Sequence, residues 1–143
     1  MKILRTLLYI SLLLATGAAQ AELRVAIIVN ASNSQDISLQ DVANIYHDRI
    51  ITWENGQKID VFNLPTASKA RGIFTQTLLG MSAKSAAAEE ANRQITNTSR
   101  NPQLLKREHL VLLSVSSNKN AIAYVNANAL GNTPGIRVLF FIE

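Results

Sequence analysis

Cysteine is absent from this 143-residue chain, and histidine occurs only at positions 47 and 109. No cysteine means no disulfide framework, no thiolate nucleophile and no lipid attachment behind a leader. Two histidines without cysteine, in no recognised ligand spacing, give no basis for a metal site. Aromatic residues make up 6% of the chain, and the basic residues are scattered, with Lys106-Arg107 the only adjacent pair. A basic stripe with interleaved aromatics is missing, so nucleic-acid binding is not read here. No Gly-x-Ser-x-Gly elbow surrounds any serine. His47-Asp48 is a neighbour pair rather than a triad, because adjacency in sequence does not aim one side chain at the other. No catalytic residue, metal or cofactor is assigned.

What is present begins with "MKILRTLLYISLLLATGAAQAE". Lys2 and Arg5 precede an apolar run, and Ala19-Gln20-Ala21 has the small-x-small form of a cleavage site. Residues 1–21 therefore read as a cleavable secretory leader. That assigns the mature product to the periplasm and leaves residues 22–143 as a single domain. Two of the basic residues fall in the leader, so the formal charge of +4 overstates the mature chain.

The pattern downstream alternates strands and helices. "LRVAIIVN", 23–30, predicts a buried strand. Ser38 and Asp41 have capping-box spacing ahead of a helix over 39–46. Residues 50–53 read as extended, 54–57 as a turn, and "KIDVFNL", 58–64, as a strand ended by Pro65. Ser68 starts a helix to Leu79 closed by Gly80, and Ser82 starts another to about Ile95. Residues 96–102 read as a polar linker. Residues 104–117 fit a helix, although "LVLLSVSS" also suits a strand. Strands follow at 120–126 and 136–142. This order predicts an α/β fold, a mixed sheet flanked by helices.

Ser68 stands where a helix begins and leaves its first N–H groups without partners. Arg71, three residues on, carries a planar fork suited to tetrahedral oxyanions or carboxylates. Thr66 and Lys69 add donors, and the loop after the first strand offers Ser32 and Asn33 in a usual ligand position for an open α/β sheet. Trp53 is expected to be a core anchor with its indole N–H bonded. Glu89 and Glu90 are expected to face solvent; adjacent helical positions diverge by about 100°, so they do not make a paired-carboxylate site.

The segments "LQDVANIYHDRIITWENGQKIDVFNL", "SKARGIFTQTLLG" and "NAIAYV" follow one another in a family-like order. Ile45-Tyr46-His47-Asp48-Arg49, Trp53 and Gly56 match an Ile-Phe-x-Gly-(Arg/Lys)-x-x-x-Trp-x-x-Gly pattern. Arg71, Phe74, Leu78-Leu79 and Gly80 follow the order of Arg-x-x-Phe-x-x-x-Leu-Gly with one added residue, and Ala121–Val125 resembles a Gly-x-Ile-Gly-Tyr-Val signal. Over most of residues 24–126 the chain resembles small phosphate-transporter substrate-binding-like proteins of the type 2 periplasmic binding protein superfamily. The resemblance implies the fold of one lobe and a binding role without chemistry. It implies an oxyanion, phosphate by default, held by Ser68, Lys69, Ala70 and Arg71 with Thr66, Ser32 and Asn33, and delivery to a membrane permease of an ABC system. Lys69 and Ala70 depart from the small and hydroxylated residues of that pattern, and the length suits one lobe rather than two. The alternative is a non-transport interaction or sensory module, acting as a homo-oligomer or with a membrane partner.

Overall fold

A computed structural model of the protein describes residues 23–98 and 100–143; the leader assigned to 1–21 lies outside them. Five strands form one sheet in the order β3-β2-β4-β1-β5. These are β1 (Val25–Asn30), β2 (Asp60–Asn63), β3 (Gln103–Leu104), β4 (Ala121–Asn126) and β5 (Ile136–Ile142). The helices are α1 (Leu39–Tyr46), α2 (Lys69–Phe74), α3 (Ala83–Asn97) and α4 (Glu108–Ser117). They flank the sheet, as the alternating pattern predicts.

β1 is buried at all six residues, and β4 at its first five. Both are nearly continuous apolar runs because each lies inside the sheet and is covered by helices. α4 packs on β4 and β1, and α2 on β4. Tyr46, Phe74 and Tyr124 meet beside β4, with Phe74 and Tyr124 stacked at 4.0 Å between ring centroids. Burying an aromatic or large aliphatic side chain contributes about 1.5–3 kcal/mol each, so this cluster fixes α1 and α2 against the sheet.

The caps follow the sequence closely. Ser38 Oγ accepts from Asp41 N–H while the Asp41 carboxylate accepts from Ser38 N–H, a complete capping box. Ser82 Oγ caps α3 through Ser85 N–H. The helix expected over 68–79 begins as α2 and then widens into a π-helical turn over Thr75–Leu79. Gly80 ends it at φ 67°, a left-handed geometry that glycine adopts without steric cost. α3 runs to Asn97, two residues past the expected end, and the supposed linker leads into the short strand β3. "LVLLSVSS" is helical within α4.

Strand polarity decides where the loops fall. β2 runs parallel to β4, whereas β1 runs antiparallel to both β4 and β5. Ile122 of β4 is level with Val61 of β2 and with Val29 of β1. From that level β2 continues one way to Leu64, and β1 continues the other way to Asn30. Leu64, just past β2, and Asn30 are therefore about four residues, roughly 13 Å, apart along the sheet.

Candidate ligand site at the end of β2

Pro65 stops β2, since it has no N–H to donate to a ladder. The chain turns there, with Ser68 N–H donating to Pro65 C=O at 2.9 Å. Ser68 takes an extended conformation and its Oγ accepts from Arg71 N–H at 3.3 Å, starting α2. The Gly72 N–H donates to Ser68 C=O. Among the first-turn donors, the amides of Lys69 and Ala70 are left.

Arg71 is the centre of the site and is only 3% exposed. Its Nη1 donates to Leu64 C=O at 2.8 Å, and its Nη2 donates to Glu90 Oε2 at 2.8 Å. Asn63 Nδ2 donates to the other carboxylate oxygen, Glu90 Oε1, at 3.0 Å. The Tyr124 hydroxyl donates to Asn63 Oδ1 in a short hydrogen bond and accepts from Leu64 N–H. Arg71 Nε is buried without a partner among the described residues. A hollow of about 280 Å³ opens here, lined by Asn63, Pro65, Thr66, Arg71, Glu90 and Gln94 among others.

Burial pushes the Glu90 carboxyl above its ordinary range; the Arg71 charge, hydrogen bonds from Arg71 and Asn63, and the Arg93 charge pull it back only in part. Burial also pushes the Tyr46 and Tyr124 phenols up, so both stay protonated donors.

The sequence-predicted residues divide between two places. Thr66, Ser68 and Arg71 gather at the Leu64 end of the sheet. Lys69 is on the same turn but exposed, the Ala70 side chain is buried in the core, and neither they nor Ser68 line the hollow. Ser32 and Asn33 lie at the opposite, Asn30 end. They line a separate hollow of about 660 Å³ with Gln35, Trp53, Asn55 and Asn120. One cradle cannot contain both sets, because β1 and β2 point opposite ways.

Glu90 is a correction. It is 8% exposed rather than solvent-facing, while Glu89 is exposed as expected. Glu90 and Ala86 are the buried residues of α3, four apart on one face. That spacing was the available signal: a carboxylate in line with an alanine on the inward stripe. Asn63 was read only as part of a strand. Trp53 is 4% exposed and donates Nε1–H to Asn120 C=O at 3.1 Å, the anchored seat expected of it. His47 closes α1, and burial, then Arg49 and Arg93, pull its imidazole below the usual range.

No family model and no curated protein matches the chain. Solved structures match its fold. One is described as a possible phosphate binding protein from Planctomyces limnophilus, with TM-score 0.63 and 14% identity over 82% of this chain and 40% of that one. An ABC-type phosphate transport receptor from Vibrio cholerae gives 0.58 and 15%, over 82% and 45%. PstS from Borrelia burgdorferi gives 0.60 and 16%, over 82% and 46%. The chain thus spans less than half the length of each, and what it shares with them is the fold of one lobe of a type 2 substrate-binding protein.

Proposed function

We infer that this lobe binds a small oxyanion, phosphate by default, in the hollow at the end of β2. The observation that carries the reading is Arg71, a buried guanidinium whose Nε has no partner among the described residues, lining the hollow together with Thr66, while Ser68, Lys69 and Ala70 stand on the adjoining turn outside that lining. Planar N–H forks and helix-start amides suit tetrahedral anions. Proteins that share the fold are described as phosphate binding or phosphate transport components. By the same reading the chain works in the periplasm after loss of residues 1–21, and hands its anion to an ABC permease. Ser32 and Asn33 take no part in this seat.

A second reading has one observation in its favour: the Arg71 charge is already matched by Glu90. On that reading the lobe is an interaction module that docks to a membrane partner or to a second copy and holds no anion. Calorimetry of the mature protein with phosphate, sulfate, molybdate and small carboxylates separates the two. Saturable heat with a tetrahedral oxyanion, lost in a Ser68→Ala, Thr66→Val double variant, supports the first. Absence of heat and of thermal shift with every anion, from pH 5 to pH 8, would exclude it.

A further inference from the structure

The proposed anion seat is built around an anion that the chain itself supplies. Glu90 receives one N–H from Arg71 on Oε2 and one from Asn63 on Oε1. An arginine donor and an amide donor gripping two oxygens of one anion is how a protein holds a carboxylate or a phosphate. The partners are fixed in turn: Asn63 Oδ1 is tied to the Tyr124 hydroxyl, and Arg71 Nη1 to Leu64 C=O. Arg71 Nε, like Arg93 Nε, is buried without a partner among the described residues. The hollow reaches both Arg71 and Glu90, so an anion entering it meets the carboxylate together with the guanidinium.

We propose that Glu90 sets access and specificity at this site: its carboxylate stands on Arg71 and Asn63 as a built-in competitor of the incoming oxyanion. The proposal rests on the oxyanion reading above. While Glu90 is ionised, the pair is neutral overall and a second anion faces a like charge a few ångströms away. When Glu90 is neutral or displaced, Arg71 regains a net positive charge and the Arg71 and Asn63 donors become available.

The surroundings favour such a switch. Arg71 on α2 and Arg93 on α3 stabilise the carboxylate, while burial raises its proton affinity more than they lower it. The Tyr46 and Tyr124 phenols, from α1 and β4, complete the charged and titratable surroundings, and both stay neutral. Arg93 is held elsewhere, with Nη2 donating to Tyr46 C=O at 2.9 Å, and does not replace Arg71 as partner. The binding-competent fraction therefore grows as pH falls. Apparent affinity scales with that fraction, about tenfold per pH unit above the carboxyl's own pKa.

A merely structural ion pair makes a different prediction. It would lose stability on substitution and gain no ligand affinity. The test is isothermal titration of the mature full chain with sulfate, whose charge is constant between pH 5 and pH 8, on wild type and Glu90→Gln. Gln keeps the shape of the side chain and removes the charge. The expected result is sulfate binding at least about tenfold tighter in Glu90→Gln than in wild type at pH 7.5, since the variant lacks the like charge that the incoming anion otherwise meets. Wild-type affinity should rise toward pH 5, and the variant should lose most of that slope. The wild-type pH series needs no variant and stands even if Glu90→Gln folds poorly. Equal affinity and equal slope in the two proteins would overturn the proposal while leaving the oxyanion reading intact. No sulfate or phosphate binding by either folded protein at any pH would overturn both.

Discussion

At the Leu64 end of the sheet, two full charges are buried against each other, Asn63 and Leu64 meet part of their remaining hydrogen-bonding capacity, and Arg71 Nε has no partner among the described residues. At the Asn30 end, the loop is built from amides whose oxygens are tied to backbone N–H groups. Asn33 Oδ1 accepts from Gln35 N–H, Gln35 Oε1 from Glu54 N–H, and Asn55 Oδ1 from Gln57 N–H. The first arrangement is sensitive to any change of charge, because a buried charge without its partner is costly. The second is shaped by turns, with Glu54 and Lys119 in the lining of its hollow and Arg137 donating to the Asn33 and Gln35 carbonyls, so single changes there lose one modest hydrogen bond at a time. Charge was legible in the sequence at both ends, but only burial makes it matter.

The largest expected effect that tests this contrast is at Arg71. Arg71→Ala leaves Glu90 buried and unpaired and should cost about 3–5 kcal/mol of stability, measured by urea unfolding. Replacing both partners, Arg71→Met with Glu90→Leu, should recover most of that loss; failure to recover would show that the pair does more than balance itself.

Next in size is Trp53→Phe at the other end. It keeps the apolar bulk and removes the Nε1 donor to Asn120 C=O, for a loss of about 1 kcal/mol. Ser68→Ala should cost a similar amount, about 1 kcal/mol, by removing the α2 cap. If Ser68→Ala instead matched Arg71→Ala in stability, the capping bond rather than the ion pair would be organising that end.

A subtler separation comes from pH. The Glu90 carboxyl is raised from an ordinary value of 4.5. In the folded protein it holds its proton to higher pH than in the unfolded chain. The native state then binds more protons, and stability falls as pH rises. The Glu90 contribution is fully present below its unfolded pKa and is lost as pH rises through the folded one. Plotted as wild type minus Glu90→Gln, stability should decline from about pH 4.5 toward neutrality, followed by thermal melts. A rising curve would mean that Arg71 outweighs desolvation.

The smallest expected effect is on ligand affinity from the far end. Asn33→Ala should leave oxyanion affinity nearly unchanged, because sites this far apart without shared partners act independently. A large loss would reunite the two hollows in one function.

Much of the framework was legible because it is local. Ser38-x-x-Asp41, Ser68, Ser82, Gly80 and Pro65 act over one to four residues, and their caps and stops appear where the sequence put them. The π-helical turn over Thr75–Leu79 and the two-residue strand β3 were not legible, since neither has a periodicity of its own. The inward position of Glu90 departs from the expected solvent-facing one for a related reason. Its neighbour Glu89 is exposed, and a single turn of helix does not say which of two adjacent carboxylates turns inward.

The sequence by itself determined most of the strand and helix segments, where most of them start, and that Trp53 and Ala121–Val125 belong to the core. Short-range sterics, capping and apolar periodicity are enough for that. Tertiary structure alone decided that β1 opposes β4, which sends Ser32 and Asn33 to the end of the sheet away from Ser68 and Arg71. It also decided that Arg71 turns inward to Glu90, nineteen residues along the chain. Both follow from pairing between residues distant in sequence, where the free energy of burying apolar strands fixes polarity and brings the two charges together in the interior.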